Sequence, residues 1–379
     1  MKLTAKTFQG LENVLAKELE LLGAEDITIL KRAVSFSGNK ELLYKSNLHL
    51  RTALRILHPI YTFIATNEND LYKKVSEFDW SAYLKLSQTF AIDSVVFSDY
   101  FTHSKYVALK CKDAIVDQFR DKTGKRPSIE TKTPDVQFNV HVYKDEFTIS
   151  IDSSGDSLHK RGYRNSQHDA PLNEVLAAGM LLLTGWEKSI PLIDPMCGSG
   201  TILMEATMIA CNMPPQINRK TYGFMNWNDY EPELWNKVYE DAKSNINRSE
   251  INITGGDISR RSIDISKESL IKFGFHRDIR INKTSFLDFL PKSSTGMLIM
   301  NPPYGERQKE DDIFSLYKNI GSHLKQNFAG FDAWILSSNK DALKFIGLHP
   351  SKKLTLFNGA LECKFQKFSL YQGSLKKKK

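Results

Sequence analysis

The sequence contains little cysteine. Its four residues, Cys111, Cys197, Cys211 and Cys363, are widely spaced, with no Cys-x-x-Cys among them. That pattern offers neither a zinc-ligand set nor a disulfide framework, and it fits a reducing cytoplasm. Long apolar runs are missing too: none approaches the roughly 18 residues of a membrane span, and no signal-peptide hydrophobic region opens the chain. Neither a metal nor a membrane partner is therefore expected. Nor is there an excess of acid. Lys and Arg number 52 against 44 Asp and Glu, a formal charge of +8. Lys376 to Lys379 carry four of those charges and read as a solvated tail. The balance is compatible with a polyanionic partner without establishing one. A hydrophobic content of 41% over 379 residues supports a sizeable core and two or three domains.

Two nucleotide-loop signatures are also lacking, and this narrows what the most informative segment can be. Leu192-Ile193-Asp194-Pro195-Met196-Cys197-Gly198-Ser199-Gly200-Thr201 is an apolar run ending in an acid and a glycine turn. No third glycine follows at the dinucleotide spacing. The Gly-Lys-Ser/Thr ending of a P-loop is absent as well. The glycines admit close backbone approach, and a helix starting near Thr201 aims free N–H groups and partial positive charge at a ligand. A smaller ligand with an amino-acid tail suits this turn, with Asp194 accepting from its ammonium group directly or through water. The plainer reading is a strand-to-helix turn in which Ser199 caps the helix.

The next apolar run, Ile251 to Gly256, ends at Asp257-Ile258. An acid at the end of a second strand suits a ribose diol, and it equally suits a cap for a helix from Ser259 to about Phe273. A third run ends at Lys283-Thr284-Ser285-Phe286-Leu287-Asp288, and a fourth at Asn301-Pro302-Pro303-Tyr304. Two prolines make the last segment a rigid loop. Its amide and aromatic suit an amino group and a planar ring. Each motif alone is weak, but their order and spacing together are specific.

Along the chain, Leu11, Leu15, Leu19 and Leu22 recur at helical spacing between strands at Lys2 to Ala5 and Ile27 to Ile29, an alternation consistent with a ferredoxin-like module. From Leu71 to Ser154 comes an α+β pattern. It contains a strand over Phe90 to Phe97, a helix over Lys105 to Arg120 and a hairpin of Val136 to Tyr143 with Phe147 to Ile151. From Leu158 strands and helices alternate as in a parallel sheet, closed by a hairpin of Lys353 to Leu356 and Leu361 to Leu370. The segment Met213 to Ser249 interrupts that alternation. Its aromatics Tyr222, Phe224, Trp227, Tyr230 and Trp235 suit either a substrate lid or an insertion covering apolar surface. Basic residues cluster at Lys122, Lys125 and Arg126, at Lys160, Arg161 and Arg164 around Tyr163, and at Arg219 and Lys220. Such interleaving suits phosphates and splayed bases, although charge runs are often only solvated faces.

The Asp194–Thr201 turn, the Gly256-Asp257-Ile258 strand end and Asn301-Pro302-Pro303-Tyr304-Gly305-Glu306-Arg307 together resemble a class I S-adenosylmethionine-dependent methyltransferase of the amino-methylating branch. Ser157 to Arg164 and Ala170-Pro171-Leu172-Asn173-Glu174 resemble the segment that joins a THUMP RNA-binding domain to that catalytic domain. The chain is thus similar to the bacterial THUMP-containing 23S rRNA guanine-N2 methyltransferases, in single-catalytic-domain form. The resemblance implies an N-terminal ferredoxin-like module (1–65), a THUMP domain (66–155) and a Rossmann-like α/β domain with a C-terminal antiparallel hairpin (156–379). It implies S-adenosylmethionine bound by Asp194, Pro195, Cys197, Gly198, Gly200, Thr201, Asp257, Ile258, Ser285, Phe286, Asp288 and Asn301. Catalysis falls to Asn301, Pro302 and Tyr304, and RNA contact to Lys122, Lys125, Arg126, Lys160, Arg161, Tyr163 and Arg164. The expected partner is 23S rRNA or a large-subunit assembly intermediate. The family's adenine-binding Asp is replaced here by Ser285, with Asp288 the nearest substitute. Asn-Pro-Pro-Tyr also serves enzymes acting on adenine or on a glutamine side chain, and a non-catalytic RNA-binding factor remains the alternative of a different class.

Overall fold

The computed structural model describes residues 1–164, 172–248, 251–305 and 310–373. Ala170, Pro171, Ser249, Glu306, Arg307 and the Lys376 to Lys379 tail lie outside the described residues. The chain forms two compact units: residues 1–7, 15–160 and 216–241, and residues 8–14, 161–215 and 242–379.

The first unit is built from β1 (Lys2–Lys6), α1 (Glu12–Leu21), β2 (Glu25–Leu30), β3 (Ala33–Ser37), α2 (Lys40–His49), β4 (Arg55–Ile64), α3 (Glu68–Glu77), β5 (Thr89–Phe97), α4 (Ser104–Thr123), β6 (Ser128–Ile129), β7 (Val136–Tyr143) and β8 (Glu146–Asp152). Its eight strands form one sheet in the order β2-β3-β1-β4-β8-β7-β5-β6. The ten-residue β4 pairs with β1 on one side, Thr4 facing Leu57, and with β8 on the other, Phe63 facing Phe147. The boundary expected at 65/66 does not interrupt the sheet, which runs through it. Helix α4 buries Val107, Cys111, Ile115 and Phe119 as its spacing predicts, and ends on Gly124 in the left-handed region at φ 72°.

The second unit contains α5 (Glu174–Thr184), β9 (Leu192–Asp194), α6 (Thr201–Ala210), β10 (Ile253–Asp257), α8 (Arg260–Lys272), β11 (Arg280–Lys283), β12 (Gly296–Met300), α9 (Glu310–Asn327), β13 (Phe331–Ser337), α10 (Lys340–Lys344), β14 (Lys352–Asn358) and β15 (Leu361–Ser369); α7 (Pro232–Ser244) lies in the insertion. Strand order is β11-β10-β9-β12-β13-β15-β14. The first five strands are mutually parallel, and β15 pairs antiparallel with β13 and β14. This is the expected Rossmann-like sheet with its closing hairpin. Strands β9 and β12 are fully buried and read as continuous apolar runs, as parallel strands covered on both faces do. Leu298, Met300, Ile320, Leu324, Phe328, Phe331 and Ile335 fill one side of the sheet. On the other, a Cβ on Gly255 would stand 2.4 Å from Leu203 Cδ1, so a larger residue there would force the Leu203 side chain of α6 to shift. Strand order reverses between β9 and β12, and such a switch point opens a crevice at the strands' C-terminal ends.

The insertion packs for the most part within the first unit. Residues 216–241 group with the first unit, where Tyr222, Phe224 and Trp235 are buried. Phe224 meets Tyr44 with ring centroids 4.5 Å apart, and Trp235 meets Tyr44 edge-on at 6.0 Å. Arg219, read as a basic contact residue, donates to the carbonyls of Ser154 and Asp156 at 3.2 and 2.5 Å. These side chains cover the apolar surface of the first unit.

Candidate active site

Asp194 ends β9, Asp257 ends β10 and Asn301 follows β12. Register pairs Asp194 with Gly255, and Leu298 with Ile193. One edge of one parallel sheet therefore gathers the motif residues, and the turn after β9 lies between them.

The turn is braced from several directions. Gly198 and Gly200 sit in the left-handed region at φ 53° and 78°. The Cys197 N–H donates to the Gly256 carbonyl at 2.9 Å, and the Cys197 carbonyl accepts from Gly200 N at 2.8 Å. Cys197 thus spends both main-chain groups on shaping the loop, and burial pushes its thiol up. Asp257 accepts Gly198 N at 2.9 Å and Ser259 N at 2.8 Å. The cap of α8 is Ser259, whose hydroxyl accepts Ser262 N at 3.2 Å. Asp257 therefore braces the glycine turn as well as preparing the helix start, and its carboxylate retains further acceptor positions. Ser199 does not cap α6: the cap residue is Gly200, and no side chain caps this helix. Ser266 Oγ donates to Gly198 O at 2.8 Å, so α8 also holds the turn.

Asp194 is the least satisfied group here. It is 1% exposed. Oδ1 accepts Met196 N at a long 3.4 Å, and Oδ2 has no hydrogen-bond partner among the described residues. Burial, with Asp257 adding like charge, pushes its carboxyl well above the usual range. A buried carboxylate oxygen without a donor carries a free-energy penalty. A cationic ammonium group fits there.

Around the third strand the expectation holds only in part. Ser285 caps a short helical turn over 286–288, its hydroxyl accepting Leu287 N at 3.2 Å. Asp288 is exposed on that turn. Phe286, expected at the cofactor, is instead in the core, edge-on to His323 at 4.9 Å. The resemblance placed it at the cofactor, but its side chain turns inward. Ile258 is 73% exposed beside Asp257, an apolar surface open to a planar ring.

At the fourth strand, the Tyr304 hydroxyl donates to Asn301 Oδ1 at 2.5 Å. The amide oxygen expected to receive an amine already has one donor, and its second acceptor position remains. Burial, with the Cys363 thiol beside it, pushes the Tyr304 hydroxyl far up, so it stays a donor. Three residues that sequence patterns did not single out support this loop. Tyr317 OH donates to Pro303 O at 3.2 Å and also meets Ser337 Oγ at 2.7 Å, while Asn339 Nδ2 donates to Tyr304 O at 3.0 Å. Asn339 simultaneously caps α10 through Ala342 N. Only the cap had a local signal.

The segment Arg161 to Arg164 corrects an expectation. Arg161 Nε lies 3.3 Å from Glu205 Oε1, with both side chains fully buried. Tyr163 is 1% exposed and donates to the same carboxylate oxygen at 3.2 Å. Neither reaches a surface where RNA binds. Arg164 pairs with Glu174 at 3.2 Å and donates to Leu172 O and Thr201 Oγ1, each at 2.5 Å. Lys160, by contrast, is exposed and pairs with Asp156. Lys122, Lys125 and Arg126 are exposed in the first unit, Lys122 pairing with Asp79 at 3.2 Å.

Comparison with known proteins decides the class. The methyltransferase domain described as RMKL-like matches residues 161–367, the THUMP domain residues 65–152 and the RlmL ferredoxin-like domain residues 2–57. The chain belongs to this THUMP-containing methyltransferase family. Its protein slr0064 from Synechocystis, provisionally named an RNA methyltransferase, is 37% identical over 97% of this chain and 96% of its own length. The ribosomal RNA large subunit methyltransferase K/L of Syntrophotalea carbinolica is 37% identical over 98% of this chain but 54% of that protein. The chain thus spans about half the length of the K/L relative. The crystal structure of SMU.472, provisionally named a methyltransferase and complexed with SAH (S-adenosylhomocysteine), superimposes with a TM-score of 0.89 at 30% identity, covering 98% and 99% of the two chains. S-adenosylmethionine is the cofactor of this family member, and the unpartnered Asp194 and uncapped α6 fit its amino-acid tail. Among the described residues no acid, His or Cys cluster suits a metal, and no helix is long and apolar enough to cross a membrane.

Proposed function

We propose that this chain methylates the exocyclic N2 of a guanine in 23S ribosomal RNA, acting in the cytoplasm on the RNA or on a large-subunit assembly intermediate. The observation that carries this reading is the Asn301-Pro302-Pro303-Tyr304 loop standing beside the Asp194 turn on one sheet edge. The names of the relatives, an RNA methyltransferase and a large-subunit rRNA methyltransferase, support RNA as acceptor.

The cofactor supplies an electrophilic methyl group on a sulfonium. Asp194 takes the ammonium of its tail, Asp257 its ribose hydroxyls, and Ile258 with the Ser285–Asp288 turn borders its ring. Gly198, Gly200 and Thr201 allow close main-chain approach, and Pro195 keeps the entry to the turn rigid. An exocyclic amine is a poor nucleophile because its lone pair is delocalised into the ring. The open acceptor position of Asn301 Oδ1 and the Pro302 carbonyl hold its two hydrogens and turn the lone pair outward. As the N–C bond forms, the methyl–sulfur bond would break and leave its electron pair on sulfur as a neutral thioether; the amine, acidic once alkylated, gives up one proton to water, so little base catalysis is needed. Orientation of this kind accounts for up to about 7–11 kcal/mol in intramolecular reactions. Tyr304 stacks on the base, which must be unpaired or flipped from its helix. Lys122, Lys125, Arg126 and Lys160 meet phosphates.

The test is transfer of labelled methyl from S-adenosylmethionine to ribosomal RNA from cells lacking this gene, followed by nucleoside digestion and mass spectrometry. N2-methylguanosine in 23S RNA is expected. N6-methyladenosine, or label confined to protein or duplex DNA, overturns the acceptor. Asn301→Ala should abolish turnover while S-adenosylhomocysteine still binds; full activity in that variant contradicts the mechanism.

A further inference from the structure

The eight-stranded sheet of the first unit buries one face and leaves much of the other open. Phe138, Val140 and Val142 of β7 and Phe147, Ile149 and Ile151 of β8 turn into the core. Their alternates turn the other way, as strand geometry requires. Register sets those alternates in rows. Phe97 of β5, Tyr143 of β7, Glu146 of β8 and Ile64 of β4 form one row, and Val95, His141, Thr148 and Thr62 form the next. Phe97, Tyr143 and Ile64 are 61%, 58% and 63% exposed. An exposed apolar row rimmed by polar groups marks an interaction surface.

Two features say what sits there. The first is aromatic. The Phe97 and His141 rings lie 6.0 Å apart, and the Lys144 ammonium stands 5.7 Å from the centre of the Tyr143 ring. Burial, with Lys6 adding like charge, holds the His141 imidazole below its ordinary value of 6.5, so near neutral pH it is an uncharged ring. Flat rings with a cation beside them suit unpaired bases, which stack with little regard to sequence. The core of a protein interface is depleted in charged residues; here Glu146 stands within the aromatic row and Lys144 against it.

The second is a cavity of about 400 Å³ farther along the same strands, with Lys6, Arg55, Asp93, Ser94, Asn139 and Ser157 in its wall. Asp93 precedes Phe97 by four residues on β5, about 13 Å at the rise of a strand. Arg55 is spent on Asp152 and on the Gly155 carbonyl. Lys6 is not spent. Its one side-chain hydrogen bond among the described residues goes to the neutral Asn139 Oδ1 at 3.1 Å, and burial lowers its pKa. A half-buried ammonium with donors left over takes an anion. Asp93 is exposed and only accepts. A donor cation beside an acceptor carboxylate matches a phosphate and a 2′-hydroxyl, and the second group is what separates RNA from DNA.

We propose that this face is a platform for an unpaired stretch of RNA: Phe97, His141 and Tyr143 stack its bases, Lys6 holds a phosphate in the cavity, and Asp93 accepts a 2′-hydroxyl. The inference rests on RNA as the acceptor and adds where, and in what form, the chain holds it. It is separate from Lys122, Lys125 and Arg126, whose charges meet phosphates of paired and unpaired RNA alike.

The test is fluorescence anisotropy on the full chain with three labelled probes of one sequence: a single-stranded RNA, the same strand as DNA, and the RNA duplex. The parent should prefer the single-stranded RNA. Phe97→Ala and Tyr143→Ala should each weaken it roughly five- to hundredfold and leave the duplex unchanged. Lys6→Gln should flatten the dependence of log affinity on log salt by about 0.7, and Asp93→Ala should narrow the gap between RNA and DNA. Phe97 and Tyr143 are exposed, so their variants carry the test if the Lys6 variant fails to fold; unchanged S-adenosylhomocysteine affinity checks each fold. Unchanged single-strand affinity in both aromatic variants overturns the proposal while the RNA reading stands. Equal loss on strand and duplex also overturns it, since stacking needs open bases. Self-association of the parent chain that Phe97→Ala abolishes, with RNA affinity intact, would assign the face to a second copy and overturn it too. If the parent binds no RNA, the RNA reading itself fails and takes this inference with it.

Discussion

Two buried aspartates end strands in this chain, and they differ in one respect. Asp152 closes β8 of the first unit and Asp194 closes β9 of the second, at 2% and 1% exposure. Burial raises the pKa of both. Asp152 has compensation: Arg55 pairs with one oxygen, and Ser154 N donates to the other at 2.7 Å. Asp194 has a single long bond from Met196 N and no cation. Among the described residues, the buried carboxylates with an unpartnered oxygen are Glu174, Asp194 and Glu205, all in the second unit. Glu174 and Glu205 each pair with an arginine; Asp194 has no such cation and stands beside the glycine turn, the feature on which its proposed ligand role rests.

Substitution sharpens this contrast. Asp152→Ala removes one partner of a buried pair and should cost about 3 kcal/mol of stability, near the lower end for such pairs because Arg55 keeps some solvent. Thermal denaturation should show it, with S-adenosylhomocysteine affinity unchanged; a loss of affinity instead would break the division of roles. Asp194→Asn should act in the opposite sense on stability. A carboxyl whose pKa is raised on folding makes the folded state hold a proton that the unfolded chain releases. Stability therefore falls as pH rises from the ordinary value of 3.8 through the raised value, then levels. At pH 8 the asparagine variant should melt a few degrees above the parent apoprotein, since about 1 kcal/mol moves Tm by roughly 2–4 °C in a domain this size. Near pH 3 the two should coincide.

Smaller effects are expected at the acceptor side. Tyr304→Phe keeps the ring and loses the 2.5 Å bond to Asn301, so kcat should fall about two- to tenfold, the worth of one ordinary hydrogen bond. KM for RNA should hold. Tyr304→Ala should add a loss of about 1–3 kcal/mol in base stacking, read as raised KM. Smallest is the surface: Lys125→Ala or Arg126→Ala should weaken RNA binding modestly and flatten its dependence on log salt by about 0.7–0.9 per residue.

Much of the architecture was legible because it is periodic. The α4 spacing of Val107, Cys111, Ile115 and Phe119 gave both helix and buried face, and the apolar runs gave the parallel strands. Asp194, Asp257 and Asn301 were legible because strand ends fix where such residues emerge. Arg161, Tyr163 and Phe286 were not. A basic-aromatic run has the same composition whether it faces phosphate or a buried glutamate, and the partner Glu205 lies 44 residues away from Arg161. The choice between lid and apolar cover for the insertion was not legible for a similar reason, since Phe224 packs on Tyr44, a contact no local window contains. Tyr317 and Ser337 act through the same kind of distant contact.

The central claim is that the open carboxylate of Asp194 belongs to the cofactor's ammonium. Calorimetric affinity for S-adenosylhomocysteine across pH, on the parent chain and on Asp194→Asn, tests it directly. The account predicts that parent affinity rises with pH as Asp194 ionises, and that the asparagine variant binds weakly with no such rise. Equal affinity and equal pH dependence in the two proteins would contradict it.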